Sequence, residues 1–97
     1  MRLRGKVDQN QGAIVKALRQ VGATVQSLAS VGGGCPDLLV SRAGDVFLLE
    51  VKDPNNPDKR RHKLTPDEME WHRKWQGHVT TVFTVEEALG AIGAMKR

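Results

Sequence analysis

The sequence predicts an α/β domain with the element order α-β-β-β-α-β-α, and three observations carry that reading. Ile14, Val15, Leu18 and Val21 recur at the spacing of an amphipathic helix. Leu38-Leu39-Val40 and Val46-Phe47-Leu48-Leu49 are apolar runs bounded by turn residues, the pattern of buried strands. Thr65-Pro66-Asp67-Glu68 has the chemistry of a helix start, with Thr65 as N-cap, Pro66 at the first helical position and Glu68 completing a capping box.

Taken in order, residues 1–6 form a basic arm. Asp8 can cap the first helix, and Gly22 is a natural stop for it. Residues 23–28 alternate and are rich in β-formers, so they make the first strand. Residues 31–34 are a glycine loop, residues 37–41 a second strand and residues 45–52 a third. Arg42-Ala43-Gly44-Asp45 is too short for anything but a hairpin turn. Residues 53–63 are a polar interruption: Pro54, Asn55, Asn56 and Pro57 break structure, and Asp58-Lys59-Arg60-Arg61-His62-Lys63 adds charge. The helix opened by Thr65 runs to about Gln76 and stops at Gly77. Residues 78–83 are the fourth strand. Thr84 caps a last helix with Glu86 and Glu87 in its first turn and Lys96 and Arg97 at its end, a charge order that suits the helix dipole.

The totals agree with one soluble domain over residues 1–97. The chain has 97 residues, 39% hydrophobic and 27% charged, which suits a globular chain with a modest core. No apolar run approaches the roughly 20 residues of a membrane span. Met1-Arg2-Leu3-Arg4-Gly5-Lys6 is basic with no apolar segment behind it and does not read as a secretory signal. The single cysteine, Cys35, excludes an internal disulfide and fits a reducing compartment. A net charge of +4 allows a polyanion as partner, although many small proteins are as basic.

The informative conflict lies where charge interrupts apolar text. Asp37 follows Gly33-Gly34-Cys35-Pro36, and Glu50-Val51-Lys52 ends the third strand. A turn centred between Ala43 and Gly44 sets Arg42 opposite Asp45, Leu39 opposite Leu48 and Asp37 opposite Glu50. Strand alternation then puts Lys52 on the face of Glu50. A three-residue or bulged loop would shift the register by one and separate them. Like charges directly opposed on a sheet are destabilising, so two facing carboxylates ask for a cation. A divalent metal would use both as hard oxygen ligands. An ordinary surface ion pair of Lys52 with either carboxylate is the competing explanation. The glycines beside the strand and the basic run Lys59, Arg60, Arg61 and Lys63 favour the functional one.

Gly34-Cys35-Pro36-Asp37 followed by Glu50-Val51-Lys52 resembles the split motif of the PD-(D/E)xK nuclease superfamily. More specifically, the chain resembles a stand-alone VRR-NUC domain, the virus-type replication-repair nuclease. The likeness extends to the element order, the Leu64-Thr65-Pro66 helix start and the Val85-Glu86-Glu87-Ala88-Leu89 ending, nearly the whole chain. It implies a restriction-endonuclease-like core, a mixed four-stranded sheet flanked by helices. It implies a metal-dependent DNA endonuclease, with Asp37, Glu50 and the Val51 carbonyl as ligands of Mg²⁺ or Mn²⁺. Lys52 would orient or help deprotonate the attacking water. Gly33, Gly34, Lys59, Arg60, Arg61 and Lys63 would meet DNA. The wider superfamily often places a glutamate on the first helix; here Gln11 is the candidate for that position and Asp8 the alternative. Small stand-alone members are expected to be homodimers that cut Holliday (four-way) junctions in DNA repair, cytoplasmic and encoded by phage or bacterium. The glycine loop and apolar positions on the later helices are candidate dimer surfaces. A flap or nicking nuclease and a non-catalytic DNA-binding module are the rivals.

The remaining candidates read more simply. Cys35 lacks a legible histidine partner and suits a small buried position. His62, His72 and His78 lack metal-site spacing, though His62 could touch phosphate. Trp71 and Trp75 stand four apart on the Thr65 helix and suit core or interface packing better than base stacking.

Overall fold

The computed structural model describes residues 9–94. Helix α1 (Gln11–Gln20) is followed by strands β1 (Thr24–Ser27), β2 (Leu38–Arg42) and β3 (Asp45–Val51). A short 3₁₀ turn (Lys59–His62), helix α2 (Pro66–Lys74), strand β4 (Val79–Val82) and helix α3 (Val85–Ala91) complete the chain. The sheet order is β1-β2-β3-β4, with β1/β2 and β2/β3 antiparallel and β3/β4 parallel. This is the expected α-β-β-β-α-β-α order with a mixed four-stranded sheet. The parallel pair requires a crossover, and α2 lies within it.

Pleating divides the sheet into two unlike faces. Leu38 and Val40 of β2, Leu49 and Val51 of β3 and Val82 of β4 point to one face, where Ile14 and Leu18 of α1 and Ala88 and Ile92 of α3 cover them. Helix α1 packs against α3 and β1, and α3 against β4, so this layer holds the core. The other face carries Leu39, Val46, Leu48, Glu50 and then Lys52. Only α2 approaches it among the described helices, and α2 has no buried residue. Leu39 and Val46 remain exposed there.

The hairpin takes the two-residue register. Arg42 pairs with Asp45, Leu39 with Leu48 and Leu38 with Leu49. Both central residues have positive φ, Ala43 at 54° and Gly44 at 88°, as a type I′ turn demands. Alanine accepts that conformation at a cost because the right-handed twist of the flanking strands selects it.

Several boundaries differ from expectation. The N-cap position of α1 falls on Asn10, whose side chain makes no capping bond; Asp8 and the basic arm lie outside the described residues, as do Lys96 and Arg97. Helix α2 ends at Lys74 rather than near Gln76. Trp75 leaves the helix at ψ 127° and its ring stacks on Trp71, centroids 4.8 Å apart. The tryptophans therefore pack on each other rather than in the core, and Trp75 is 44% exposed. Residues 59–62 form a 3₁₀ turn because the Asp58 carboxylate accepts from the Arg60 N–H and caps it.

Candidate active site

The end of β3 is where buried charge accumulates. Glu50 is 2% exposed and Lys52 6%, both on the face opposite the Leu49/Val51 core side. One further step along the observed register sets Asp37 opposite Glu50, and the two carboxyls lie within hydrogen-bonding reach of each other. Lys52 Nζ stands 3.7 Å from Glu50 Oε2. The three motif residues, far apart in the chain, thus meet at one strand end.

The backbone around them is tied down by side chains. The Val51 N–H donates to Asp37 Oδ2 at 2.7 Å, and the Asp37 carbonyl accepts from the Leu28 N–H at 2.8 Å. Asp37 therefore joins the chain after β1 to the end of β3. Asn10 Nδ2 donates to the Lys52 carbonyl at 3.0 Å and to the Phe83 carbonyl at 2.8 Å. That amide holds the start of α1 against the ends of β3 and β4, a use that explains why it does not cap its own helix. Gln11 follows directly, buried in the first turn of α1. It also lines a shallow groove along α1 with Lys16 and Arg19, a groove that contains none of the motif residues.

Glu68 is the group that sequence reading assigned only to a helix cap. It does complete the capping box: Glu68 Oε1 accepts from the Thr65 N–H at 2.8 Å, and Thr65 Oγ1 accepts from the Glu68 N–H at 3.2 Å. The same Oε1 also accepts from Lys52 Nζ at 2.9 Å. One carboxylate oxygen thus starts α2 and holds the motif lysine. Gly34 allows this proximity. Its φ is +86°, and a Cβ there would overlap the Asp67 carbonyl in the first turn of α2. Gly34 accommodates α2, whereas Gly33 faces open space.

The electrostatics follow from this crowding. Burial, then the Asp37 and Glu68 charges, push the Glu50 carboxyl up to about 9, against the pull of Lys52. Asp37 is also raised by burial, with the Val51 N–H acting in the opposite direction. Burial would raise Glu68 too, but its bonds from Lys52 and Thr65 win and hold it below its ordinary value. The Cys35 thiol is pushed up by burial and by Glu50 and Asp37, the reverse of what an activated nucleophile needs. Cys35 is half-buried rather than buried.

A cation fits this arrangement. Glu50 Oε1 is buried and has no hydrogen-bond partner, and it belongs to one of two carboxyls forced together. Hard oxygen donors crowded by like charge suit a divalent ion, which would take the place of the proton on Glu50. Among the described residues no group of three or more His, Cys, Asp or Glu is arranged to hold a metal.

The basic segment lies on the surface. Lys59, Arg60 and Lys63 are exposed, Arg61 is half-buried, and Lys59, Arg60, His62 and Lys63 line a shallow concavity. Arg60 is already paired with Asp58 at 3.0 Å, and His62 Nε2 lies 2.8 Å from the Asn56 carbonyl. Both residues help to shape the turn.

Neither a family model nor a curated protein matches the chain. Among solved structures, a VRR_NUC domain matches with a TM-score of 0.63 and 26% identity, covering 92% of this chain and 100% of that one. The chain has the fold of a VRR-NUC domain. That likeness points to a nuclease of the PD-(D/E)xK type. No helix among the described residues is long and apolar enough to cross a membrane.

Proposed function

We propose that this VRR-NUC-like chain is a metal-dependent DNA endonuclease that hydrolyses phosphodiester bonds in branched DNA, with the four-way junction as substrate and a homodimer as the working unit. The observation that carries the reading is the meeting of Asp37, buried Glu50 and buried Lys52 at one strand end. A binding module has no use for opposed carboxylates facing a polyanion. Asp37, Glu50 and the Val51 carbonyl are the groups to hold Mg²⁺ or Mn²⁺. Such an ion, when bound, polarises a phosphate and acidifies a water.

The chain's own residues do the rest. The Val51 N–H holds the Asp37 carboxylate in one orientation. Lys52 offers a fixed ammonium where negative charge develops on the phosphoryl group, and Glu68 keeps its long side chain from wandering. Gln11 adds a neutral amide in the first turn of α1, where it can hold a water without adding charge. Gly33, Gly34 and the Lys59, Arg60, Arg61 and Lys63 segment would contact the DNA backbone, with Arg60 weakened by its bond to Asp58. Support for a second copy comes from apolar side chains left exposed: Val31 in the glycine loop, Met69 and Trp75 on or beside α2, and Val46 on the sheet. A two-fold dimer would present two sites to a two-fold junction.

The test is cleavage of labelled four-way junction, flap and linear duplex with Mg²⁺, with Mn²⁺ and with chelator, beside size determination in solution. Metal-dependent junction cutting that disappears in Lys52→Ala is expected. Cutting of flaps alone would move the assignment to a flap nuclease. Binding without cutting under every metal condition would make it a DNA-binding module.

A further inference from the structure

The Val51 carbonyl points toward a partner that cannot answer it. The Lys52 N–H donates to the Val82 carbonyl at 3.0 Å, so the backbone groups of Lys52 face β4. By strand alternation those of Val51 face β2. The Asp37 bond to the Val51 N–H shows the same direction. On the β2 side the two-residue turn makes Arg42/Asp45 a hydrogen-bonded pair, and every second pair follows it: Val40/Phe47, then Leu38/Leu49. The next pair in this series is Pro36/Val51. An ordinary residue at 36 would exchange two bonds with Val51. Here the Val51 N–H goes to the Asp37 side chain, and Pro36 has no N–H to give. Pro36 is fully buried, so this gap in the ladder is an interior feature.

A buried carbonyl that the ladder leaves without a donor is costly unless something else satisfies it. It lies next in sequence to Glu50, whose Oε1 also lacks a partner. Two oxygen acceptors without donors, beside a third carboxylate oxygen supply from Asp37, form a donor set for a hard cation. We propose that Pro36 is a positioning residue: by withholding an N–H from the β2/β3 ladder, it keeps the Val51 carbonyl open as a third oxygen donor to the divalent ion held by Asp37 and Glu50. This rests on the metal-dependent reading given above.

Carbon-13 NMR of the wild-type protein during Mg²⁺ titration tests this without any substitution. The Val51 carbonyl carbon is expected to shift and saturate together with the Asp37 and Glu50 carboxyl carbons. Carboxyl signals that saturate while Val51 stays still would overturn the inference and leave a two-carboxylate metal site standing. Carboxyl signals that never move would overturn both. Pro36→Ala supplies the missing N–H. Its new amide at position 36 is expected to be protected from hydrogen exchange, and Mg²⁺ affinity measured by calorimetry is expected to fall roughly three- to tenfold as the amide competes for the carbonyl. Unchanged affinity with a protected amide would also overturn the inference.

Discussion

Glu50 should make the metal-free protein less stable as pH rises, and Glu50→Gln should remove that dependence. The Glu50 carboxyl is 2% exposed, faces Asp37, and has one oxygen without a partner. Its folded value is about 9 against an ordinary 4.5, so the folded protein keeps a proton that the unfolded chain releases. A raised carboxyl contributes its full stability below the unfolded value and loses it as pH climbs toward the folded one. The loss therefore runs from about pH 4.5 to about pH 9. From 4.5 to 7, at about 1.4 kcal/mol per pH unit, the loss at neutrality is about 3 kcal/mol. That is a large share of the roughly 5–15 kcal/mol that holds an ordinary domain together. Asp37 is raised as well and adds in the same direction. Glu68 is lowered, so its contribution is present above its unfolded value and is lost as pH falls. The assay is urea denaturation in chelator at pH 5, 6, 7 and 8, comparing wild type with Glu50→Gln. The stability gap in favour of the variant should widen by about 1.4 kcal/mol per pH unit. Saturating Mg²⁺ at pH 8 should stabilise wild type by about 3 kcal/mol at a hundredfold excess over its dissociation constant, and the variant far less. Parallel pH profiles for the two proteins would refute the reasoning.

Glu68→Ala removes both the cap bond to Thr65 and the 2.9 Å bond from Lys52, and should cost about 2 kcal/mol in urea denaturation. Glu68→Gln keeps an acceptor oxygen and should recover about half of that while still slowing cleavage, since Lys52 loses a charged restraint. Ala43→Asn should stabilise by about 0.5–1 kcal/mol, read as a rise of a few degrees in Tm, because asparagine tolerates the φ of 54° that the turn imposes; junction cleavage should not change, as the turn lies at the far end of the hairpin. Replacing Lys59, Arg60, Arg61 and Lys63 together by alanine should weaken DNA binding and flatten its salt dependence, and an unchanged slope would remove this segment from the DNA interface.

The legible parts of this protein share one property: their causes are local or obey a fixed period. The α2 start could be read because a capping box is a contiguous four-residue device, and all its bonds form. The carboxylate pair could be read because a two-residue turn fixes every pair behind it, even though Ala43 is a poor residue for that turn. The end of α2 could not be read from Gly77, because the chain leaves the helix earlier, at Trp75, whose ring stacks on Trp71 in a contact that propensity does not encode. Asn10 was equally opaque. Asp8 and Gln11 offer a charge and an amide close by, yet Asn10 makes the bonds to Lys52 and Phe83, residues 42 and 73 positions away.

Glu68 shows why a complete local explanation can hide a second role. Thr65 already accounts for a glutamate three residues on, so nothing in the sequence asks for a further partner. The signal lay elsewhere, in Lys52. A lysine ending a buried strand beside one glutamate is left with two carboxylates opposite and a charge to hold in place, and the next acidic residue brought onto that face is the natural counterpart. The chain brings it there by a crossover whose first turn can approach only because residue 34 has no side chain. The glycine before the motif, the capping box and the lysine are thus one mechanical unit. A substitution at Gly34 should be felt at Lys52 through α2, with DNA contact playing no part in that effect.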